Sequence, residues 1–586
     1  MIQPGRARVV TAATALAVLV FQAVPATLYL GNLPDFTAAP APLMQVLLVP
    51  VLLIVACAFV GSRFGGAGAH ALATSLLSML TVLAWGQAYL LGRGYGVFDG
   101  ETAPSAAAWR GWLDASLWIT GLLAAVLAYR RLERPLFTAA IVIVSLQIVT
   151  IGGDAIARSD ALAHKSANPH PLNGLEPMAR FSAERNVLHI VLDSFQADVF
   201  HELVTGPEGA QLQQGLPGFT YFEEHVGTFP STHLAMPVIV SGQPYRNHLP
   251  LPDYMDQAFG SGSVLRAARN AGFEIDIAAD AWMLDMLAKA GVDNAYAPGA
   301  LPLAHEAARL LDFALFRLAP HFVKPAVYDQ QRWRVQRLLP GSDFLKFVYF
   351  KHNAFLAEVT RRLAVDRAQP VYKFYHLMTT HRPFVVNPDC SPAGRELPRL
   401  RETVTAQSRC SLAFVVALLL QMQQEGVYDN SLIVLMADHG GHVDPLRYRP
   451  GHIEVDGKPV RLRPHEVAMA TPLLAVKPPA ATEPFRISKS LTSMTDVAAT
   501  IDALMQLGSR LPGRSVLDEP APAERRYHIY PWRSSDMVSD HVDWIEEFVI
   551  AGSVYRAENW HPIAVYFPPG GPPAPMEELF RPEPPG

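Results

Sequence analysis

Five apolar stretches crowd the first 152 residues of this 586-residue chain, and they constrain its fold more than anything that follows. They are Val9–Leu30, Pro42–Val60, Ala69–Leu91, Trp112–Tyr129 and Pro135–Ile151. A helix needs about 20 apolar residues to cross a hydrocarbon core, and each stretch lies near that length, the last two being short. Half of the residues are apolar (50%), and the excess sits mostly in this part, as expected when a membrane domain precedes a soluble one. A cleaved signal peptide does not explain the first stretch, because four more follow and no small-residue cleavage site closes its apolar run.

Lys and Arg in the short loops set the expected orientation. Arg6 and Arg8 precede the first span, Arg63 lies between the second and third, and Arg130, Arg131 and Arg134 lie between the fourth and fifth. The opposite loops hold only Arg93 and Arg110. The first set is therefore read as cytoplasmic, with an odd number of spans carrying everything after Ile151 outside. The expected organisation is a transmembrane domain over 1–152, a linker over 153–185, a catalytic domain over 186–560 and a Pro-rich tail over 561–586. A net charge of −5 with no basic run argues against nucleic acid as a partner. Cys390 and Cys410 flank a polar loop and could close it as a disulfide in an oxidising compartment.

Beyond the linker the patterning changes. Asn186–Leu192 is a short apolar run of the kind a buried parallel strand requires, and it stops at Asp193. Ser263–Ala271 reads as a helix, Phe273–Ala278 and Val371–Tyr375 as strands, Leu412–Gln424 as a helix, and Ser431–Met436 as a strand ending at Ala437-Asp438-His439-Gly440. Thr471–Val476, a helix over about 495–507, and late strands at Tyr527–Trp532 and Glu546–Tyr555 complete an α/β pattern with a mostly parallel sheet.

Polar residues gather where strands end, the usual place for sites in open α/β sheets. Asp193 ends the first strand and Asp438-His439 a much later one. An adjacent Asp-His pair followed by glycines suits a metal, although a solvated turn gives the same letters. Thr228 and Thr232 both lie in the segment from Gly227 to Gly242. A hydroxyl at a helix N-terminus would meet free N–H groups that favour phosphate, and a plain N-cap is the bland alternative.

As an ordered set, Asn186–Asp193, Thr232–Gly242, His376–Phe384, Ala437–Gly440 and Gly513-Arg514-Ser515 resemble the alkaline phosphatase and sulfatase superfamily. The likeness is to its membrane-anchored branch of lipoteichoic-acid synthases, phosphoethanolamine transferases and phosphoglycerol transferases. The resemblance implies five spans before an extracytoplasmic α/β domain in a bacterial inner membrane. Of the two threonines, Thr232 fits the phosphoethanolamine-transferase spacing, with Pro237 and Ser241 after it, and Thr228 does not. A sulfatase proper is disfavoured, because this segment lacks the Cys/Ser-x-Pro-x-Arg pattern. The resemblance further implies that Asp193, Thr232, Asp438 and His439 surround one divalent cation, Zn²⁺ or Mn²⁺ ahead of Mg²⁺. Many relatives carry glutamate where Asp193 stands.

By the same resemblance, His381 would hold a phosphate oxygen or protonate a leaving group, and His452 would lie near the phosphate, with His442 as its rival. Thr379-Thr380 replaces the family's usual Gly-Asn or Gly-Ser before His381. His376 reads as a structural or substrate-side histidine, His189 as a core residue, and Asp198 as the start of a solvated helix. Leu310–Tyr328 reads either as an amphipathic stretch on a membrane or as a helix on the catalytic core. The implied activity moves a substituted phosphoryl group from a phospholipid donor to an envelope glycan or lipid acceptor. A hydrolase using water, and a non-catalytic sulfatase-like lipid sensor, are the alternatives. A sensor has no need of a full ligand set, which this chain retains.

Overall fold

A computed structural model describes residues 4–33, 36–92, 108–167, 174–329, 333–341, 347–455, 458–532 and 539–569. The chain divides into two compact units, Met1–His170 with Ala300–Lys346, and Pro171–Gly299 with Phe347–Gly586.

The first unit holds five apolar helices: α1 (Pro4–Gly31), α2 (Pro40–Gly61), α3 (Ala67–Leu91), α4 (Ala108–Leu127) and α5 (Tyr129–Ala157). α1, α2, α3 and α5 are long and apolar enough to cross a membrane; α4, with Arg110 and Asp114 near its start, is not among them. The bundle is apolar outside, and its interior mixes apolar packing with small and hydroxylated residues. Thr74, Ser75, Ser78, Thr81 and Gln147 are buried, whereas Leu52, Leu53, Leu117, Leu123 and Val149 are exposed. In water that distribution would be unstable; against lipid it is expected, because small and hydroxylated residues let helices approach and hydrogen-bond. Gln147 accepts from Trp85 Nε1 at 3.2 Å and donates to Thr27 Oγ1 at 3.1 Å, so a buried amide is satisfied at both ends. A short helix, Ser159–Ala167, extends the chain past α5 into the segment expected as linker.

A second stretch of sequence joins this unit. The helix Leu303–Leu318 packs Leu310 and Leu311 against Tyr29, Phe36, Leu43 and Leu47, not against the catalytic core. Its Glu306 carboxylate is fully buried and accepts from Thr37 N at 2.6 Å and Ala38 N at 2.9 Å, just before α2 begins. Two backbone donors thus depend on one side chain.

The second unit is built on an eight-stranded sheet. In chain order its strands are β1 (Asn186–Leu192), β2 (Thr220–Phe222), β3 (Glu274–Ala278), β4 (Asn294–Tyr296), β5 (Val371–Leu377), β6 (Ser431–Met436), β7 (Leu474–Lys477) and β8 (Arg486–Ser488). Their spatial order is β8-β2-β7-β6-β1-β5-β3-β4. Only β7 pairs antiparallel, with β6 on one side and β2 on the other. β1, β5 and β6 are buried along their whole length, which explains their unbroken apolar runs.

The expected helix over Leu412–Gln424 runs from Arg401 to Gln424 and is apolar enough to resemble a span. Leu412, Val415, Leu418, Leu419 and Met422 bury it in the α/β core instead. β9 (Glu524–Ile529), β10 (Ile545–Ala551) and β11 (Trp560–Tyr566) form a separate antiparallel sheet. β11 enters the stretch expected as a Pro-rich tail, of which 570–586 lie outside the described residues.

Glu306→Ala should destabilise the membrane unit by about 2 kcal/mol or more, since it strands two buried N–H donors. Thermal unfolding of the detergent-purified protein measures this; an unchanged midpoint would show that the carboxylate is not needed there.

Candidate metal and phosphoryl-transfer site

Register brings the site together. β1 and β6 pair in parallel with Val191 opposite Met436, so Asp193 and Asp438, each two residues further on, come level. β5 pairs on the other flank of β1 with His376 opposite Val191. One oxygen or ring nitrogen from each of Asp193, His376 and Asp438 lies within 4.8 Å of the other two, and all three side chains are buried. His376 Nε2 is 3.5 Å from Asp193 Oδ2 and 4.0 Å from Asp438 Oδ2.

α6 (Thr232–Ser241) brings the hydroxyl. Thr232 opens the helix, and its Oγ1 is 3.2 Å from Asp193 Oδ2 and 3.4 Å from His439 Nε2. Gly242 ends α6 at φ 72°, with its N–H on Val238 O; a Cβ there would meet Pro512 O at 2.7 Å, so glycine is required. Thr228 lies earlier, buried with its hydroxyl unpaired, and is not in the cluster.

Backbone turns complete the cradle. Ser194 adopts a left-handed conformation (φ 62°), which lets its N–H reach Asp438 Oδ1 at 3.0 Å while its hydroxyl donates to Asp193 Oδ1 at 2.6 Å. His439 N also donates to Asp438 Oδ1, at 2.9 Å, and His439 Nδ1 lies 2.7 Å from Gly440 O, so that nitrogen carries the proton and Nε2 faces Thr232. A Cβ on Gly440 would approach Ala468 O at 2.1 Å, so the turn after the Asp-His pair has no room for a side chain.

Burial raises the Asp193 pKa, but the charges of His381, His376 and His439 more than offset this and hold it well below the usual range. Asp438 is lowered too, by His439 and His376 acting against burial and the Asp193 charge. Burial pulls His376 down, yet the two adjacent carboxylates push it up to about 10. The pair of buried carboxylates thus requires positive charge beside it. Asp438 Oδ2 and both His376 ring nitrogens are buried without a hydrogen-bond partner, and oxygen and imidazole donors at this spacing fit a divalent ion. Asp193, His376 and Asp438, with His439 and Thr232 at the rim, are the residues that could hold it.

His381 lies beside this group: its charge reaches Asp193, and its ring centroid is 6.1 Å from that of His442. His442 lies in the same neighbourhood, its pKa pushed well down by burial and then by the His381 and His439 charges. His452 is elsewhere, exposed at the start of a hairpin strand opposite Arg461, and among the described residues no contact ties it to the cluster. His189 is a core residue, with Nδ1 3.0 Å from the Tyr372 hydroxyl. Asp198 is not solvated: it is buried, paired with Arg401, and accepts from Leu446 N at 3.0 Å, which fixes the loop after His439.

Several supporting residues have no sequence signal of their own. Gln407 donates to His381 O at 3.0 Å and accepts from Val385 N at 2.9 Å, clamping the loop that carries His381. Thr380 donates to Asp193 O at 2.6 Å. Met378 N donates to His352 Nδ1 at 3.1 Å, and the other His352 nitrogen lies 3.2 Å from Asp280. Each is an ordinary polar residue whose partner is remote in sequence. The disulfide Cys390–Cys410 closes the polar loop beyond β5 onto the helix Arg401–Gln424.

A mostly parallel α/β sheet with two carboxylates and imidazoles at its strand ends, and a hydroxyl on the first residue of an adjacent helix, defines a metal-capable hydrolase or group-transfer enzyme. The family model described as Sulfatase matches residues 185–507, more than half of the chain, and the protein belongs to that family as a sulfatase-like transferase or hydrolase. No curated protein matches the chain. Among solved structures, the phosphonate monoester hydrolase SpPMH from Silicibacter pomeroyi is 13% identical, with TM-score 0.39, covering 66% of this chain and 90% of its own. The lipoteichoic acid synthase LtaP from Listeria monocytogenes is 12% identical, with TM-score 0.36, covering 64% and 86%. The C-terminal periplasmic domain of EcEptC from Escherichia coli is 14% identical, with TM-score 0.36, covering 59% and 89%.

Asp438→Asn and His376→Ala should each weaken divalent-metal binding by at least about tenfold, the scale that even outer-shell changes reach. Metal content after dialysis against a graded chelator reads this. Full retention by the His376 variant would remove that histidine from the ligand set.

Proposed function

We propose that this protein is a membrane-anchored, metal-dependent phosphotransferase. It takes a substituted phosphoryl group, phosphoethanolamine or phosphoglycerol, from a phospholipid and passes it to a glycan or lipid of the bacterial envelope. The observation that most supports this reading is the Thr232 hydroxyl. It stands at the N-terminus of α6 and within 3.4 Å of both Asp193 and His439. An N-cap needs no such neighbours; a nucleophile does.

In the proposed reaction, Thr232 Oγ1 attacks phosphorus, the bond to the diacylglycerol oxygen breaks, and His381 delivers a proton to that leaving oxygen. The proton given up by Thr232 replaces it, so that one proton in all passes from Thr232 to diacylglycerol. The free N–H groups at the start of α6 face the phosphoryl oxygens and stabilise their charge. Asp193, Asp438 and His439, joined by His376, would hold Zn²⁺ or Mn²⁺, which when bound lowers the pKa of a hydroxyl and neutralises phosphoryl charge. An acceptor hydroxyl then displaces Thr232 from phosphorus, and the proton it gives up passes to Thr232 Oγ1. The apolar exterior of α2, α4 and α5 fits an anchor in the inner membrane, with the N-terminus cytoplasmic and residues 186–560 outside, where a lipid donor is reached by diffusion in two dimensions.

A phosphodiesterase would use the same site with water as the final acceptor. Incubating the purified protein with head-group-labelled phospholipids, followed by mass spectrometry of the Thr232 peptide, tests the reading. A substituted phosphoryl adduct with diacylglycerol release is expected, and Thr232→Ala should lower turnover by at least about a thousandfold. Turnover by that variant at the wild-type rate would exclude Thr232 as nucleophile.

A further inference from the structure

Residues 303–328 enter the chain between β4 and β5, yet they belong with the helical bundle. The helix Leu303–Leu318 packs on the last turns of α1 and α3 and on the first turns of α2, all at one end of that bundle. Its partners Leu43 and Leu47 lie past the first residue of α2, Pro40, so at about 1.5 Å per residue the contact reaches on the order of 10 Å along the span. Arg317 Nε donates to Ala88 O at 3.0 Å, and a Cβ on Gly111 of α4 would meet His321 at 2.7 Å, so the segment crosses to α3 and α4 at the same end. From His305 to Leu318 no residue is exposed. A helix lying on a hydrated surface keeps one face wet, and this one has none.

The loops around this helix are bonded as they must be where water is absent. Glu306 accepts from Thr37 N and Ala38 N, Asp312 accepts from Val335 N at 2.8 Å and Gln336 N at 2.9 Å, and Asp114 of α4 accepts from His321 N. All three of these residues are buried. At a wet surface, water would meet such N–H groups, whereas non-helical backbone at membrane depth is tolerated only where protein satisfies it. The side chains that face outward at this end are instead apolar rings: Trp109 is 63% exposed, Trp112 78% and Phe322 62%. Long basic side chains stand beside rings here as well, Arg110 over Trp109 at 5.6 Å and Arg317 over Tyr89 at 5.1 Å. Exposed Trp and Phe next to such cations mark the boundary between hydrocarbon and head groups.

We propose that residues 303–328 are a further membrane element, an enclosed helix and turn that re-enter the bilayer between two strands of the catalytic sheet. They hold Phe322, with Trp109 and Trp112 of α4, at the boundary between the acyl chains and the head groups of phospholipid in the outer leaflet. The inference rests on the reading of the bundle as a membrane anchor with this end outward, and it adds a return of the chain to lipid after the spans are complete. Phospholipid is the occupant because the exposed rings are continuous with the apolar exterior of α4, which runs on through Leu113, Leu117 and Leu123. The neighbouring arginines complement the phosphates of head groups, which a purely apolar partner would leave unpaired.

The test uses the full-length protein in vesicles of phosphatidylethanolamine and phosphatidylglycerol, with Cys57→Ala as background and Cys390–Cys410 left bonded. A fluorescent maleimide is attached at one introduced cysteine: Phe322→Cys, Trp112→Cys, Leu52→Cys in α2 or Leu420→Cys on the catalytic unit. All four positions are exposed, so the labels leave interior packing alone. Each label is then quenched by lipid carrying a nitroxide high or low on its acyl chain, and by iodide in the outer water. The Phe322 and Trp112 labels should respond more to the shallow nitroxide than to the deep one, and at least about threefold less to iodide than the Leu420 label does. A Phe322 label that iodide quenches as strongly as Leu420 would overturn the proposal, whatever the Trp112 label does. So would a Phe322 label shielded from iodide and from both nitroxides, since a second copy of the chain would then cover that surface. A Leu52 label that the deep nitroxide fails to quench would instead defeat the membrane-anchor reading, and this element with it.

Discussion

Two buried carboxylates side by side are the constraint from which the rest of the catalytic unit follows. Asp193 and Asp438 leave neighbouring parallel strands at the same level, both almost wholly out of solvent. Like charges so placed repel strongly where the dielectric is low, so the surroundings must compensate them. They do so from every side. Ser194 and His439 give backbone N–H groups to Asp438, Ser194 and Thr232 give hydroxyls to Asp193, and imidazoles stand against both. The left-handed Ser194 and the close-packed Gly440 are local distortions that make those donors point inward. Such an arrangement is strained and only partly satisfied, which is the condition of a binding site and not of a stabilising core.

The membrane unit answers a different solvent with the same rules. Apolar side chains such as Leu52 and Val149 face outward, and the Gln147 amide pairs inside with Trp85 and Thr27. Its completion by Leu303–Leu318 is unusual in one respect: a charged residue, Glu306, is buried and held by two backbone donors, the Thr37 hydroxyl and Arg309. That bond ties together parts of the chain more than 260 residues apart.

Much of the catalytic architecture was legible because strand and site coincide in sequence. Asn186–Leu192 and Ser431–Met436 are continuous apolar runs, each followed within two residues by a ligand-type side chain, and both became central parallel strands. Short strands such as Thr220–Phe222 and Asn294–Tyr296 were not legible, because three residues carry no period. Asp198 shows the opposite failure. Its local context is that of an exposed helix start, and only Arg401 and Leu446, far along the chain, make it a buried anchor. His376 lies one strand away from the carboxylates, so nothing in its own segment distinguishes a core histidine from a ligand.

The sequence by itself determined the apolar helices, the α/β alternation and the residue types that could meet at strand ends, since hydropathy and period are local properties. It also singled out Thr232 over Thr228, through spacing matched to a family. Tertiary structure alone decided which histidines join the cluster, bringing His376 in and leaving His452 on an exposed hairpin. It also decided where Leu303–Leu318 packs. The physical reason is common to these: each depends on strand register or on contacts between remote segments, and neither is encoded within a window of neighbouring residues.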